Sequence, residues 1–594
     1  MAQAQPITLG NDRKGATVRL SPQQRAYHTH IVGGIGKGKT TLMQRMICQD
    51  IVRGHGVCLI DPHGGLYQKV REFCAVSGFD RQRRIHLVDP SMRTHVAGIN
   101  PLWTPTDDLN EILDRVDAVM DAFAQVWGGE DVQRMPTFQR IFSALTFAIA
   151  CKKLTLVEAP FLVPADRGLW REYLASDLPH AMMRAVWEEI QAFSAREHRE
   201  QFLSVFNRID PFLRHPIVQH MLGQRERVID LARCMDEGDI ILVNLQSRPG
   251  FSLQAGTLVG RLLINSLYVT ALRRKAEASR PFYLYIDECH RFLSKDIEGI
   301  LSECRKYGLH LTLAHQHMGQ LREAGELIAS GVMNVAVNKI VFSLGMEDAK
   351  LFADELFGEQ YDLEEPKKIL MKPTVVGFKR ILLRNAMRSE SESEGWGVAR
   401  GSSQGGGQGV ATGEVFGVNT VTVVDADGNP MSVAVGDSAS ASRVASETSS
   451  FQASESESYT TARSVAQAAG WSEALQPELK EMPGGVYSLE EQRFRFAVAI
   501  SRQDIGAAAV SLMGEKAAFI RTEPAKQHIV PPSMLARSTA KSLERSGYVT
   551  PLAEVEREIR ERQAALEAKV RAFAGHPFTG EQPVELSPED DQWG

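Results

Sequence analysis

GGIGKGKTT, residues 33–41, stands between the run YHTHIV and the stretch LMQRMICQDIV. Gly33, Gly38, Lys39 and Thr40 meet the spacing G-x-x-x-x-G-K-[ST]. Glycines let successive backbone N–H groups turn inward on phosphate oxygens, the lysine reaches the β- and γ-phosphates, and the hydroxyl binds Mg²⁺. The whole loop then counts as nucleotide-binding: Gly33, Gly34, Ile35, Gly36, Lys37, Gly38, Lys39, Thr40 and Thr41. An ordinary glycine-rich turn is the bland alternative, and context decides against it. Leu42, Met43, Met46, Ile47 and Ile51 recur at helical spacing, so a helix begins where the phosphates would sit, its N-terminal dipole facing them. Gly54 and Gly56 break that helix, and VCLIDP then reads as a buried strand of a parallel sheet.

Composition bounds the rest. With 594 residues, 43% of them hydrophobic, the chain can bury a sizeable core and hold more than one domain. Seven cysteines without a C-x-x-C pair indicate neither a zinc ribbon nor a disulfide framework, and a reduced cytosol suits them. No run approaches the ~18 apolar residues of a membrane span; IFSALTFAIA reads as a core helix, and no signal peptide opens the chain. A cytoplasmic location is expected, with peripheral recruitment to the inner membrane left open. The net charge of −6 requires any nucleic-acid contact to come from a local basic surface.

Along the chain, ITLGNDRKGATVRL reads as two strands around Gly15 that flank the main sheet. From about Asn100 to Met235 the strand pattern gives way to helical periodicity, as in LNEILDRVDAVMDAFAQVW, so an all-helical insertion is expected. GDIILVNL, PFYLYIDE, GLHLTLAHQ and VAVNKIVFSL restore strands, separated by helices. The fold class is α/β, with a mainly parallel sheet that binds nucleotide at the carboxyl ends of its strands. From about Arg388 the sequence turns to Ser, Gly and Glu; such a segment buries too little apolar area to offset chain entropy, so flexibility or partial order is expected. Within it NTVTVVDADGNPMSVAV alternates around Asp427-Gly428, the pattern of a lone hairpin. Beyond it FRFAVAISR and AAFIRTEP read as strands, PLAEVEREIRERQAALEAKV as a charged helix, and ELSPEDDQWG as an acidic tail. The expected domains are residues 1–99 (opening strands and first part of the core), 100–235 (helical insertion), 236–387 (second part of the core), 388–470 (flexible segment) and 471–594 (C-terminal strands, helix and tail).

A phosphate loop needs acids on a partner strand. FYLYIDE ends in Asp287, placed to complete the Mg²⁺ shell, and Glu288, placed to orient or deprotonate the attacking water. A carboxylate pair capping a loop is the alternative. Gln316 ends the next strand, where its amide could report the γ-phosphate or hold the lytic water; a satisfied strand-end glutamine would look the same. His290, His315 and His317 come with no metal-ligand set and read as polar residues near strand ends. Arg305, in SECRKYGLH, lies between acids and sensor, and its guanidinium could neutralise developing phosphoryl charge at a neighbouring subunit's site, with Lys306 able to share the role. A solvated helix-end cation is the alternative.

GGIGKGKTT, LIDPHGGL, INPLW, YIDECHRF and above all LSECRKYGLHLTLAHQHMGQL resemble the type IV secretion coupling ATPases of the TraD/TraG type, in the HerA–FtsK class of motors. The resemblance spans about Ile7 to Arg384 and resumes weakly near FRFAVAIS. It implies a RecA-like P-loop NTPase core with an inserted all-α domain, assembled as a homo-hexamer around DNA and using ATP and Mg²⁺. Carried over by position, Lys39 and Thr40 take the phosphate and metal roles, Asp287 the metal, Glu288 the base, Gln316 the sensor and Arg305 the finger. Asp61 in DPHG resembles a recurrent acid at the second strand's end. Two departures stand out: Lys37 where a small residue is commoner, and no apolar span in the residues before Gly33, where such proteins usually carry an anchor.

The leading expectation is an ATP-driven translocase that pumps DNA through a ring into a conjugative secretion channel. Its backbone contacts would be blind to sequence, with relaxosome or secretion-channel proteins as partners. A nucleotide-switched scaffold that recruits secretion cargo, or a HerA-like motor in repair or defence, are the alternatives.

Overall fold

The computed structural model describes residues 5–127, 135–162, 168–276, 279–294, 297–362, 371–397, 409–424, 430–446, 458–483 and 486–573. The chain forms two compact units, Met1–Tyr361 with Leu489–Gly594, and Asp362–Ser488. In chain order the strands are β1 (Ile7–Asp12), β2 (Thr17–Leu20), β3 (Thr29–Val32), β4 (Gly56–Asp61), β5 (Ile85–Val88), β6 (His95–Ala97), β7 (Ile240–Asn244), β8 (Phe282–Ile286), β9 (Leu309–His315) and β10 (Asn338–Val341). Then follow β11 (Met371–Gly397), β12 (Gly409–Val424), β13 (Pro430–Ser446), β14 (Ser458–Pro483), β15 (Ala507–Ser511), β16 (Ala518–Thr522) and β17 (Val549–Pro551).

The first unit is built on one sheet of order β2-β1-β16-β15-β10-β3-β9-β8-β4-β7-β5. From β10 to β5 every neighbouring pair is parallel, whereas β15, β16, β1 and β2 add on antiparallel. Strands covered on both faces read as near-continuous apolar runs, and β3, β4, β7, β8 and β9 are buried throughout, with the polar residues Thr29, His30, Asp61, Asn244, His310, Thr312 and His315 among them. Alternation along β4 shows the two layers. Val57 and Leu59 pack with Leu42, Met46 and Ile47 of the helix Lys39–Val52, while Cys58 and Ile60 belong to the core on the opposite face.

Between β6 and β7 the described residues form helices and no strand, including Leu109–Val126, Pro136–Cys151 and Ala195–Leu213. The last of these starts at a capping box: Glu197 N–H donates to Ser194 Oγ, and the Glu197 carboxylate accepts from Ser194 N–H at 2.9 Å. IFSALTFAIA lies in Pro136–Cys151 and is mostly buried. One helix among the described residues, Leu253–Leu272, is long and apolar enough to cross a membrane by length and composition, where the sequence reading found no such run; 78% of its most apolar window is buried. Gly260, Arg261, Asn265 and Ser266 interrupt it.

Three readings change. FRFAVAIS is not a strand but most of the helix Leu489–Ser501; Phe496 stacks on Phe357 at 4.4 Å, and Ala497 and Ile500 are buried, so packing overrides the β-prone composition. The stretch expected to be flexible from residue 388 contains strands: β11 pairs antiparallel with β14, and β12 with β13. The hairpin expected at Asp427-Gly428 is longer than its sequence signal, with Val424 opposite Pro430 and Gly409 opposite Ser446; the turn itself lies outside the described residues. AAFIRTEP supplies β16, the charged helix is Leu552–Phe573, and the acidic tail lies outside the described residues.

Candidate functional site

The carboxyl ends of β3, β8 and β9, adjacent in the sheet, carry the residues singled out in the sequence. The loop after β3 uses backbone that only glycine adopts without strain: Gly36 has φ +73° and Gly38 φ +124°. Gly33 is glycine for space, since a Cβ would lie 2.5 Å from Phe342 Cβ. Gly34 N–H donates to Ser343 O at 2.9 Å, and Gly506 N–H to Lys37 O at 2.9 Å, so two distant segments hold the loop open. Ile35 stands 81% exposed at its crown. Gly38 caps the helix Lys39–Val52, which places Thr40 and Thr41, both half-buried, in its first turn.

Lys39 is buried, and its Nζ donates to the loop carbonyls of Gly33 (2.5 Å) and Gly34 (3.2 Å). Burial lowers its pKa, and the charges of Glu288 and Asp287 oppose that fall. Asp287 is 5% exposed. Burial, followed by the nearby carboxylates of Asp61 and Glu288, pushes it up to about 7, against the pull of Lys39. A crowded, dry carboxylate beside a glycine cradle could hold a divalent cation together with phosphates.

Glu288 has a left-handed backbone (φ +48°, ψ +50°), a conformation that strains a residue other than glycine. Its carboxylate is 4% exposed and tethered on both oxygens. Gln316 Nε2 donates to Oε1 at 2.7 Å, Gln320 Nε2 to Oε2 at 3.4 Å, and His290 Nδ1 lies 3.5 Å from Oε2. Gln316 thus stands directly after β9 and touches the acid. Asp61 is spent locally: its two oxygens accept from His63 N–H and Tyr67 N–H, each at 2.8 Å, at the start of the helix Gly65–Ser77.

Arg305 is not brought to this cluster. It lies in a turn at the opposite end of β9, exposed, with its guanidinium 4.2 Å from the Tyr27 ring. Seven strand residues separate the two ends, about 23 Å at ~3.3 Å per residue. Lys306 shares that end and is also exposed. His315 is a buried packing group: it stacks on His30 with Nε2 atoms 2.6 Å apart, its Nδ1 lies 3.0 Å from His317 O, and burial depresses it to about 3. His317 is exposed.

Sequence reading missed three features. Gln320 reaches both Gln316 and Glu288, and its signal was the i, i+4 spacing in QHMGQ. Gly506 buttresses the loop from a distance no local pattern reveals. A buried network joins Arg25, Asp50 and Tyr285: Arg25 Nη1 and Nη2 reach the Asp50 oxygens at 2.5 and 2.7 Å, and the Tyr285 hydroxyl donates to Asp50 Oδ2 at 2.6 Å. A fourth group, His86, Cys234 and Asp239, is the kind of set that could hold a metal. Its members are already engaged, His86 with Asp239 at 2.9 Å and Ser546 at 2.7 Å.

Residues 13–118 match the family model for a type IV secretion-system coupling protein DNA-binding domain. Residues 281–365 match that for the TraM recognition site of TraD and TraG. No curated protein matches the chain. Among solved structures, the bacterial conjugative coupling protein TrwBdeltaN70 aligns at 12% identity over 89% of this chain and 92% of its own, with TM-score 0.45. TrwB in complex with a non-hydrolysable ATP analogue aligns at 12% over 89% and 92%, TM-score 0.46. VirB4 of Thermoanaerobacter pseudethanolicus aligns at 16% over 59% and 87%, TM-score 0.37. These overlays are too distant to carry weight, and the similarity rests on the two matched segments. One matched segment holds the phosphate loop and the other holds Asp287, Glu288, Arg305 and Gln316, so both segments that carry the candidate site are similar to type IV secretion-system coupling-protein domains.

Proposed function

We infer that this protein is an ATP-hydrolysing motor that drives DNA toward a conjugative secretion channel. The observation that carries the reading is the convergence of Lys39, Asp287, Glu288 and Gln316 at the ends of three adjacent parallel strands. ATP with Mg²⁺ fits this site. The left-handed glycines open a phosphate cradle, and Asp287, raised to about 7 by burial and neighbouring carboxylates, is an acid that a cation would return to its charged form. When bound, the nucleotide with its metal supplies the scissile phosphoanhydride and the Lewis acid.

The chain's residues do the rest. Lys39 would exchange its contacts with loop carbonyls for phosphate oxygens, and Thr40 and Asp287 would hold the metal. Glu288 accepts the proton of the attacking water on a carboxylate oxygen, while the Gln316 amide positions that water. Arg305, far from its own chain's site, serves the site of a neighbouring copy, which calls for a ring; a homo-hexamer fits this arrangement. The matched DNA-binding domain supports DNA as the substrate, gripped through its phosphates and therefore salt-sensitive. Relaxosome or channel proteins are the expected partners, and the match to a TraM recognition site supports contact with a protein of that machinery. A cytoplasmic position with recruitment to the inner membrane accords with this role.

Single-turnover and steady-state ATP hydrolysis with Glu288→Gln tests the chemistry. Nucleotide affinity should stay within a few-fold of wild type while turnover falls by at least ~100-fold. A variant that turns over normally would remove Glu288 from the base role.

A further inference from the structure

Glu288, Gln316 and Gln320 close a ring of hydrogen bonds. Gln316 donates its amide to Glu288 Oε1 at 2.7 Å. Gln320 donates to Glu288 Oε2 at 3.4 Å and, with its own Oε1, accepts the Gln316 main-chain N–H at 2.8 Å. The same side chain therefore grips the proposed base and the backbone of the proposed sensor. It sits in the helix Met318–Ala324, whose first N–H donates to Asp348 Oδ2 at 2.9 Å, so the ring is anchored to the helix Met346–Phe357.

On the reading that Glu288 and Gln316 serve ATP hydrolysis, we propose that Gln320 is the positioning residue that transmits the movement of Gln316 to Glu288. The physical argument is one of exchange. If the Gln316 amide leaves Glu288 Oε1 for a water or phosphate oxygen, that carboxylate oxygen becomes free to accept a proton. Gln320 keeps its hold on Oε2 and on the Gln316 backbone, so the base is released at one oxygen without losing its place. Without Gln320 the strained Glu288 backbone, at φ +48°, would be left with the Gln316 amide and the more distant His290 Nδ1, 3.5 Å from Oε2, to fix the carboxylate. Gln320 touches neither reacting atom in this scheme, and its effect is felt in turnover and not in nucleotide affinity.

The test is a double-mutant cycle on the full-length chain with Gln316→Ala and Gln320→Met, reading kcat, the dissociation constant of a fluorescent ATP analogue and the melting temperature. Gln320→Met keeps the volume and removes both hydrogen bonds. The expected result is a fall in kcat of about tenfold for Gln320→Met, with nucleotide affinity and melting temperature unchanged. The double variant should then be little worse than Gln316→Ala alone, because coupled residues do not add. Gln320→Glu, which retains the acceptor for Gln316 N–H but loses the donor to Glu288, should be slow as well. Full additivity, or wild-type kcat in both Gln320 variants, would overturn the proposal. Failure of Glu288→Gln to lose turnover would instead remove the underlying reading, so the two failures are separable.

Discussion

At Glu288 a strained conformation coincides with the proposed base. A left-handed backbone strains a side chain that bears a Cβ by ~1 kcal/mol or more and leaves glycine indifferent. Glu288→Gly should therefore melt higher than Glu288→Ala; the reverse order in thermal unfolding would show that the backbone there is relaxed. His28 makes a second prediction. Its ring is 1% exposed, with Nδ1 accepting from Leu311 N–H at 3.0 Å and Nε2 2.5 Å from Leu301 O, and burial lowers it to about 4. A histidine held neutral in the fold contributes stability that is fully present above its ordinary value near ~6.5 and drains as pH falls toward 4. Denaturant unfolding of wild type should lose up to about 3 kcal/mol across that window, and His28→Gln should flatten the curve. An unchanged pH dependence in the variant would remove His28 from the acid response.

At the scale of elements, the buried Arg25–Asp50–Tyr285 network ties the helix behind the phosphate loop to the strand that presents the acids. Removing Asp50 leaves a guanidinium buried without its partner, so Asp50→Ala should destabilise by about 3–5 kcal/mol, whereas Tyr285→Phe should cost about 1 kcal/mol. Chemical denaturation of the two variants checks the contrast, and equal effects would contradict it. The network also shows where sequence reading stops. FYLYIDE announces a strand and two acids because apolar residues followed by carboxylates are a local pattern, but the Tyr285 hydroxyl depends on a helix 235 residues away. FRFAVAIS fails for a related reason: its aromatic and branched residues suit either state, and packing on Phe357 chooses the helix. Arg305 belongs to this scale too, because β9 holds it at the end remote from its own phosphate loop. Mixing Arg305→Ala chains with Lys39→Ala chains should restore some hydrolysis in mixed rings, and no rescue in rings shown to be mixed would exclude action across subunits.

For the molecule as a whole, the parallel part of the sheet was legible because each strand, loop and helix follows the last in sequence. The antiparallel extension was not. β15 and β16 lie between β10 and β1 after a separate unit, Asp362–Ser488, has intervened, and only long-range pairing shows that Gly506 supports the loop at Gly34–Lys37. The phosphate loop, the acid pair and Gln316 could be read because each lies at a strand end marked by its own residues, whereas Gln320 required knowing which way a helix turns after β9. What unites these parts is the proposed hydrolytic site, whose residues fall in two segments matched to coupling-protein domains. The most direct measurement is therefore ATP hydrolysis by the purified protein at low salt, without DNA and with single- or double-stranded DNA, beside Glu288→Gln. Strong stimulation by DNA that the substitution abolishes is the predicted result. Hydrolysis indifferent to every DNA would contradict a DNA-driven motor.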